Sequence, residues 1–221
     1  MLLKPACRIP TQIKNPDAGI SAWLADCVNK KDDKTMEHFK LTDKERETLN
    51  ALTGSPVPLF DMLNARERRV FYQQELLGEN EGCLISFTLN IPGPVKLLPG
   101  VPGAFEAGLS QIGAVLKENG YPVEKSRLIL DTTGPEAFFL LHAPAKKIKE
   151  LLIPIEDGSR LGRLFDIDVL AENGEKISRE ELNCPGRRCL LCEKPAKECA
   201  RSRAHSVEEL SREVAKILAQ E

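Results

Sequence analysis

Two aspartates stand two residues apart in the segment Leu161-Gly162-Arg163-Leu164-Phe165-Asp166-Ile167-Asp168-Val169-Leu170. If this segment is a β-strand, Phe165, Ile167 and Val169 project to one side, and Asp166 and Asp168 project together to the other. Their Cα atoms are then about 7 Å apart on one strand face. Such a pair can hold a divalent cation. Mg²⁺, or Mn²⁺ in its place, is bound by a few carboxylates with phosphate oxygens completing its shell. The chemistry that suits it is phosphoryl or nucleotidyl transfer, in which the cation neutralises a polyphosphate and orients the displacement. The plainer alternative is a solvated strand face. Aspartate is disfavoured in strands, so two among β-branched and aromatic neighbours need a reason. Just upstream, Gly162 would let a phosphate approach closely, and Arg163 would donate two hydrogen bonds to it.

The second group is Cys189-x-x-Cys192-x6-Cys199-x5-His205. Three thiols and an imidazole can supply the four ligands of a tetrahedral Zn²⁺ site. The six-residue gap is shorter than in a common zinc finger, and reduced, buried thiols fit the pattern too. Arg187 and Arg188, immediately before it, are placed as phosphate ligands. His38 and His142 are isolated, and His142, in the apolar run Ala137-Phe138-Phe139-Leu140-Leu141-His142-Ala143, reads as a satisfied core histidine. No Gly-x-Ser-x-Gly elbow, phosphate-binding Gly-Lys loop or Gly-x-Gly-x-x-Gly turn is present, so the common hydrolase and nucleotide folds lose support.

The elements that must position these groups follow from periodicity. Residues 83–91 alternate Ile85, Phe87, Leu89 and Ile91 with Ser86, Thr88 and Asn90, the mark of a half-buried strand. Pro-Gly-Pro-Val-Lys at 92–96 makes a rigid exit that presents Lys96. Phe105, Leu109, Ile112, Val115 and Leu116 predict a helix that Asn119-Gly120 stops. Two apolar runs around Thr133-Gly134-Pro135-Glu136 predict a hairpin. A helix over 144–152 and a strand over 163–170 follow. The order β-α-β-β-α-β predicts an α+β fold, a four-stranded, mainly antiparallel sheet of ferredoxin-like type with helices on one face.

Before this core, a helix over about 59–77 has Leu59, Met62, Leu63, Val70, Leu76 and Leu77 as core candidates. Arg66, Arg69 and Gln73 lie on its opposite, polar side, and there a solvated face and phosphate binding are equally served. Capping boxes at Thr42/Glu45 and Ser206/Glu209 predict helices at both ends. The chain divides into an N-terminal extension, 1–54, loosely ordered with a short helix, and one catalytic domain, 55–221. That domain includes a Cys-rich segment, 184–205, and a C-terminal helix.

Composition narrows the classes. The formal net charge of the 221 residues is −2, so no global field draws the chain to nucleic acid or anionic membrane. Aromatic residues are only 5%, too few for a platform of stacked bases. Six Lys or Arg between 184 and 205 make a local basic patch that suits a small polyanion. No apolar run is long enough to span a membrane, and Met1–Pro10 lacks a signal peptide's apolar stretch. Both point to a cytoplasmic protein, where seven cysteines, an odd number, favour thiols or metal ligation over disulfides.

Four segments, 86–96, 133–136, 161–170 and 187–205, together resemble the apo-citrate lyase phosphoribosyl-dephospho-CoA transferase (holo-citrate-lyase synthase) family, and the likeness runs from about residue 55 to the end. The resemblance implies a nucleotidyltransferase-type enzyme of citrate fermentation. It would move the prosthetic group of 2'-(5''-triphosphoribosyl)-3'-dephospho-CoA to a serine of the citrate lyase acyl-carrier subunit, releasing pyrophosphate. On that basis Asp166 and Asp168 bind Mg²⁺. Arg163, Arg187, Arg188, Lys96 and Arg66 hold the donor, and Glu136 is a third carboxylate or general base. Specificity for another carrier subunit is a variant of this reading. A zinc-stabilised nucleic-acid or protein binding module is the non-enzymatic alternative, and it leaves the aspartate pair unused.

Overall fold

A computed structural model of the chain describes residues 36–78 and 81–220, so most of the expected N-terminal extension lies outside the described residues. Six α-helices are present among them: α1 (Asp43–Ala51), α2 (Leu59–Leu77), α3 (Val101–Glu118), α4 (Ala145–Asp157), α5 (Ala196–Ser202) and α6 (Val207–Leu218). The strands are β1 (Cys83–Leu89), β2 (Lys125–Ile129), β3 (Glu136–Leu141) and β4 (Phe165–Ala171). They form one sheet in the order β2-β3-β1-β4, and each neighbouring pair is antiparallel. Helix α3 connects β1 to β2 and α4 connects β3 to β4, which gives the expected βαββαβ core of an α+β fold.

The apolar alternation of β1 fixes which face meets α3 and α4. Cys83, Ile85 and Phe87 are fully buried there with Phe105, Leu109 and Ile112 of α3, and Ile148 and Leu152 of α4. Phe87 stacks on Phe105 with ring centroids 5.0 Å apart and meets Phe165 edge-on at 5.5 Å. Burial of each such ring stabilises the fold by about 2–3 kcal/mol. Gly108 of α3 makes room for it, because a Cβ there would lie 2.2 Å from Phe87 Cζ. The chain enters this core before α1: Phe39 packs on Phe139 at 4.3 Å, and Leu41 and Leu49 are buried. Thr42 and Glu45 close the capping box of α1, and Ser206 and Glu209 that of α6.

The other sheet face corrects two expectations. Helices do not lie on one face only, since α2 covers the second one. β1 is therefore buried on both sides rather than half-buried. Helix α2 is also turned about its axis from the orientation its pattern suggests. Ala65, Gln73, Leu76 and Leu77 are its buried residues, while Leu59, Phe60 and Phe71 are 75%, 70% and 62% exposed. The physical reason is that the sheet's second face carries Ser86, Thr88 and Glu136, whose polar atoms need partners once buried. The polar side of α2 supplies them.

β4 lies at the sheet edge, where unpaired backbone groups must be satisfied. Glu156, only 2% exposed at the end of α4, accepts from the Ile167 N–H at 3.1 Å, and Lys149 donates to the Ile167 carbonyl. Lys149 and Arg179 both pair with Glu156, at 3.2 and 2.8 Å. Further along, Ile177 N–H donates to the Val169 carbonyl and Ala171 N–H to the Glu175 carbonyl. The strand that carries the aspartates is thereby fixed along its outer edge.

Candidate active site

Strand register assembles the site. Thr88 of β1 lies opposite Glu136 of β3 on one side and Asp166 of β4 on the other, and Ser86 lies opposite Asp168. The polar row therefore runs across β3, β1 and β4. From α2 above it, Arg69 donates to both Glu136 oxygens, at 2.8 and 3.0 Å, and Gln73 donates to Ser86 Oγ at 3.0 Å. Beside this row opens a cleft of about 160 Å³, lined by Arg66, Arg69, Lys96, Thr88, Glu136 and Asp166, with the turn Thr133-Gly134-Pro135 at its side. Thr133 Oγ1 is buried in that wall and has no hydrogen-bond partner among the described residues. An orphaned buried hydroxyl at a cleft is a place where a ligand oxygen is wanted.

The charges of the cleft are unbalanced in a way that suits an anion with a cation. Arg66 and Lys96 form no ion pair among the described residues; Lys96 Nζ donates to the Ile91 carbonyl at 2.7 Å. Burial, with the Arg66 charge nearby, holds the Lys96 ammonium below its ordinary value. Burial works against the Arg69 charge, but Glu136, with Asp166 and Asp168 farther off, holds that guanidinium above its ordinary value. The Asp166 side chain is 47% exposed, yet its recessed carboxyl is pushed up by desolvation and by repulsion from Asp168, against the pull of Arg187. Asp166 and Asp168 do share one sheet face. Asp168 is paired with Lys176 at 2.5 Å and does not line the cleft. Asp166, repelled by Asp168, thus stands at the same cleft as Arg66 and Lys96, a lining of mixed charge.

Other expected residues take different places. Gly162 and Arg163 belong to a 3-10 turn, Gly162–Leu164, not to the strand. Gly162 serves packing, because a Cβ there would lie 2.1 Å from the Ile155 carbonyl oxygen. Arg163 donates to the carbonyls of Arg188 and Cys189, each at 2.8 Å. Arg187 returns the tie by donating to the Arg163 and Phe165 carbonyls, at 2.8 and 2.7 Å, and stands 3.5 Å from Asp166. Arg188 points outward and pairs with Glu193. His142 is not a core histidine. It follows the end of β3, largely exposed, hydrogen-bonded to the Glu81 carbonyl and paired with Glu124 at 2.6 Å. Arg69, on the helix side for which phosphate binding was left open, and Thr133, in the turn before β3, also line this cleft.

The Cys-rich segment folds into a knot. The ligand atoms of Cys189, Cys192, Cys199 and His205 all lie within 4.8 Å of one another, an arrangement that could hold a metal ion. Cys192 Sγ is 3.5 Å from Cys199 Sγ and 3.4 Å from His205 Nε2. Burial opposes the Cys189 thiolate, but the N–H groups of Leu191 and Cys192 and the neighbouring thiols hold it below its ordinary value. Burial and the Cys192 and Cys189 thiols push the Cys199 thiol up to about 12. Three sulfurs and one nitrogen, with backbone N–H groups turned to a sulfur, are a donor set for a soft or borderline cation.

Residues 57–221 match the family model described as apo-citrate lyase phosphoribosyl-dephospho-CoA transferase. A Vibrio cholerae serotype O1 protein named as a probable enzyme of that name is 43% identical over 155 residues, 70% of this chain and 87% of that protein. A probable enzyme of the same name from Streptococcus pyogenes serotype M18 is 40% identical over 170 residues, 75% of this chain and 88% of that protein. One from Citrobacter koseri, named without the qualifier, is 37% identical over 158 residues, 72% of this chain and 86% of that protein.

Proposed function

The chain belongs to the apo-citrate lyase phosphoribosyl-dephospho-CoA transferase family, and from that premise we propose how its cleft performs the transfer. The enzyme is a transferase that moves the phosphoribosyl-dephospho-CoA group of 2'-(5''-triphosphoribosyl)-3'-dephospho-CoA onto a serine of the citrate lyase acyl-carrier subunit, and pyrophosphate leaves. One observation carries the reading. The cleft gathers Asp166, the unpaired Arg66 and Lys96, Arg69 and the unpartnered Thr133 hydroxyl around one space.

In this reading Asp166 and Asp168 hold Mg²⁺ or Mn²⁺, which when bound neutralises phosphate charge and eases departure of pyrophosphate. Arg66, Arg69 and Lys96 bind the triphosphate oxygens, and Thr133 donates to one of them. Arg187 steadies Asp166. Arg163 and Arg188 act farther out, the first by fixing the Cys-rich segment. The serine oxygen attacks the α-phosphorus in line, a new O–P bond forms and the bond to the β-phosphate oxygen breaks. Glu136 takes the serine proton once Arg69 shifts toward the phosphates. Cys189, Cys192, Cys199 and His205 hold a structural Zn²⁺. The reaction belongs to the cytoplasm and needs neither nucleic acid nor membrane; no helix among the described residues is long and apolar enough to cross one.

The test is the pair Asp166→Asn and Asp168→Asn, assayed for carrier labelling and for Mg²⁺ affinity by calorimetry. Both variants should keep the native circular dichroism spectrum, bind Mg²⁺ weakly and fail to label. Labelling at the normal rate by either one removes it from the metal site.

A further inference from the structure

A larger cavity, about 570 Å³, shares Asn90 with the polar cleft as a lining residue. Leu190, Ala200 and, from α6, Leu210 and Val214 give it an apolar lining. Four arginines line it and no carboxylate does. This volume lies within the 300–1,000 Å³ typical of small-molecule sites, and the mixture of apolar wall and a few convergent charges is typical of them too. The two spaces are neighbours. Asn90 lines both, and Arg187, a lining residue of the larger one, reaches Asp166 of the smaller at 3.5 Å.

At its rim stands Arg203. The Arg163 and Arg187 guanidinium groups are engaged by backbone carbonyls and Arg188 is paired with Glu193, whereas Arg203 has no ion pair among the described residues. Its backbone is left-handed, φ 50° and ψ 41°, at the C-cap of α5. Glycine is the residue that usually fills such a cap. A bulky side chain held there costs conformational energy, and an outlier of this kind at a cavity rim points to a function for the side chain. The wall beside it is the Cys/His knot, since Cys189, Cys199 and His205 all line the cavity.

Resting on the proposed transfer reaction, we infer that this cavity receives the dephospho-CoA arm of the donor, with Arg203 on its diphosphate and the metal-binding knot as its wall. The donor is a long molecule with two unlike halves. Its triphosphate end needs carboxylate oxygens for a hard cation together with cationic side chains, and the small cleft supplies both in Asp166, Arg66 and Lys96. The other half carries an adenosine, a diphosphate and a mostly uncharged pantetheine chain, which calls for apolar surface with a cationic rim and no carboxylates. The cleft is too small to take both. Asn90 lines both spaces, and in this assignment the α-phosphate sits beside Asp166 while the arm lies against α6.

The probe is 3'-dephospho-CoA, which lacks the triphosphate, titrated by calorimetry into the full-length protein with its metal bound; inorganic triphosphate with Mg²⁺ is the parallel probe of the cleft. Arg203→Gly removes the guanidinium while relieving the backbone, so the variant should melt no lower than wild type. It should bind dephospho-CoA at least tenfold more weakly and keep its triphosphate affinity within twofold. Ala200→Trp, which fills the cavity, should weaken dephospho-CoA to a similar degree. Asp166→Asn should leave dephospho-CoA binding within twofold. Failure of dephospho-CoA to bind wild type, or equal binding by wild type and Arg203→Gly, overturns the assignment. Normal transfer by Asp166→Asn, with the dephospho-CoA pattern as expected, overturns the catalytic reading and leaves the cavity assignment standing.

Discussion

Replacing Arg69 by methionine tests the ion pair on which the cleft is built. Glu136 is 5% exposed and both of its oxygens accept from Arg69, at 2.8 and 3.0 Å. The substitution keeps much of the side-chain volume and leaves a buried carboxylate without its partner. Breaking a buried pair in this way costs about 3–5 kcal/mol. The Arg69 side chain is 27% exposed, so water screens the loss in part, and the lower end, about 3 kcal/mol, applies. For a chain of this size that lowers Tm by roughly 6–12 °C. The double variant Arg69→Met/Glu136→Leu removes both charges and should regain most of that stability, because an apolar pair of similar volume can replace a buried ion pair at little net cost. Urea unfolding of the wild type, both single variants and the double variant closes the cycle. Carrier labelling should stay low in the double variant even though it is stable. A loss below about 1 kcal/mol in Arg69→Met would refute the argument, and so would a double variant no more stable than the single.

Three further outcomes follow from the same geometry. Gly162→Ala places a Cβ 2.1 Å from the Ile155 carbonyl oxygen, and thermal unfolding should show a loss of about 2–3 kcal/mol from the forced backbone shift. Burial opposes the Asp131 charge, but Arg68, at 2.6 Å, and the Thr132 N–H hold its carboxyl below its ordinary value. Its stabilisation is therefore full above the unfolded-state pKa and lost as pH falls through the lower folded one. Asp131→Asn should cost up to about 1 kcal/mol at pH 7 and converge with wild type in acid, as urea midpoints across pH would show. Cys199→Ser should lower the zinc found by elemental analysis of purified protein, and a chelator should depress Tm in wild type more than in this variant.

The sequence carried the sheet and the shared face of the two candidate aspartates, and specific residues explain the rest. Alternation in 83–91 and 163–170 located β1 and β4, and the period of two placed Asp166 and Asp168 on one face, as the register shows. Cap residues Thr42 and Ser206 gave helix starts to the residue. Helix α2 misled because its polar side, Arg69 and Gln73, turns inward to partners on β1 and β3. Hydrophobic periodicity assumes that the buried side is the apolar one, and that assumption fails where the surface beneath carries Ser86 and Glu136. Gly162 misled for a related reason, since its pattern gives no sign of the α4 backbone that crosses it. The unpartnered Thr133 hydroxyl had no local signature at all, because only the hairpin's closure against the cleft buries it.

Intact-mass spectrometry of the citrate lyase apo-acyl-carrier subunit tests the central claim most directly. The carrier is incubated with the triphosphoribosyl donor, Mg²⁺ and either wild-type protein or Asp166→Asn. A gain equal to one phosphoribosyl-dephospho-CoA group with the wild type alone, lost again when the carrier serine is replaced by alanine, is the predicted result. An unmodified carrier with the wild type, or the same gain with Asp166→Asn, contradicts it.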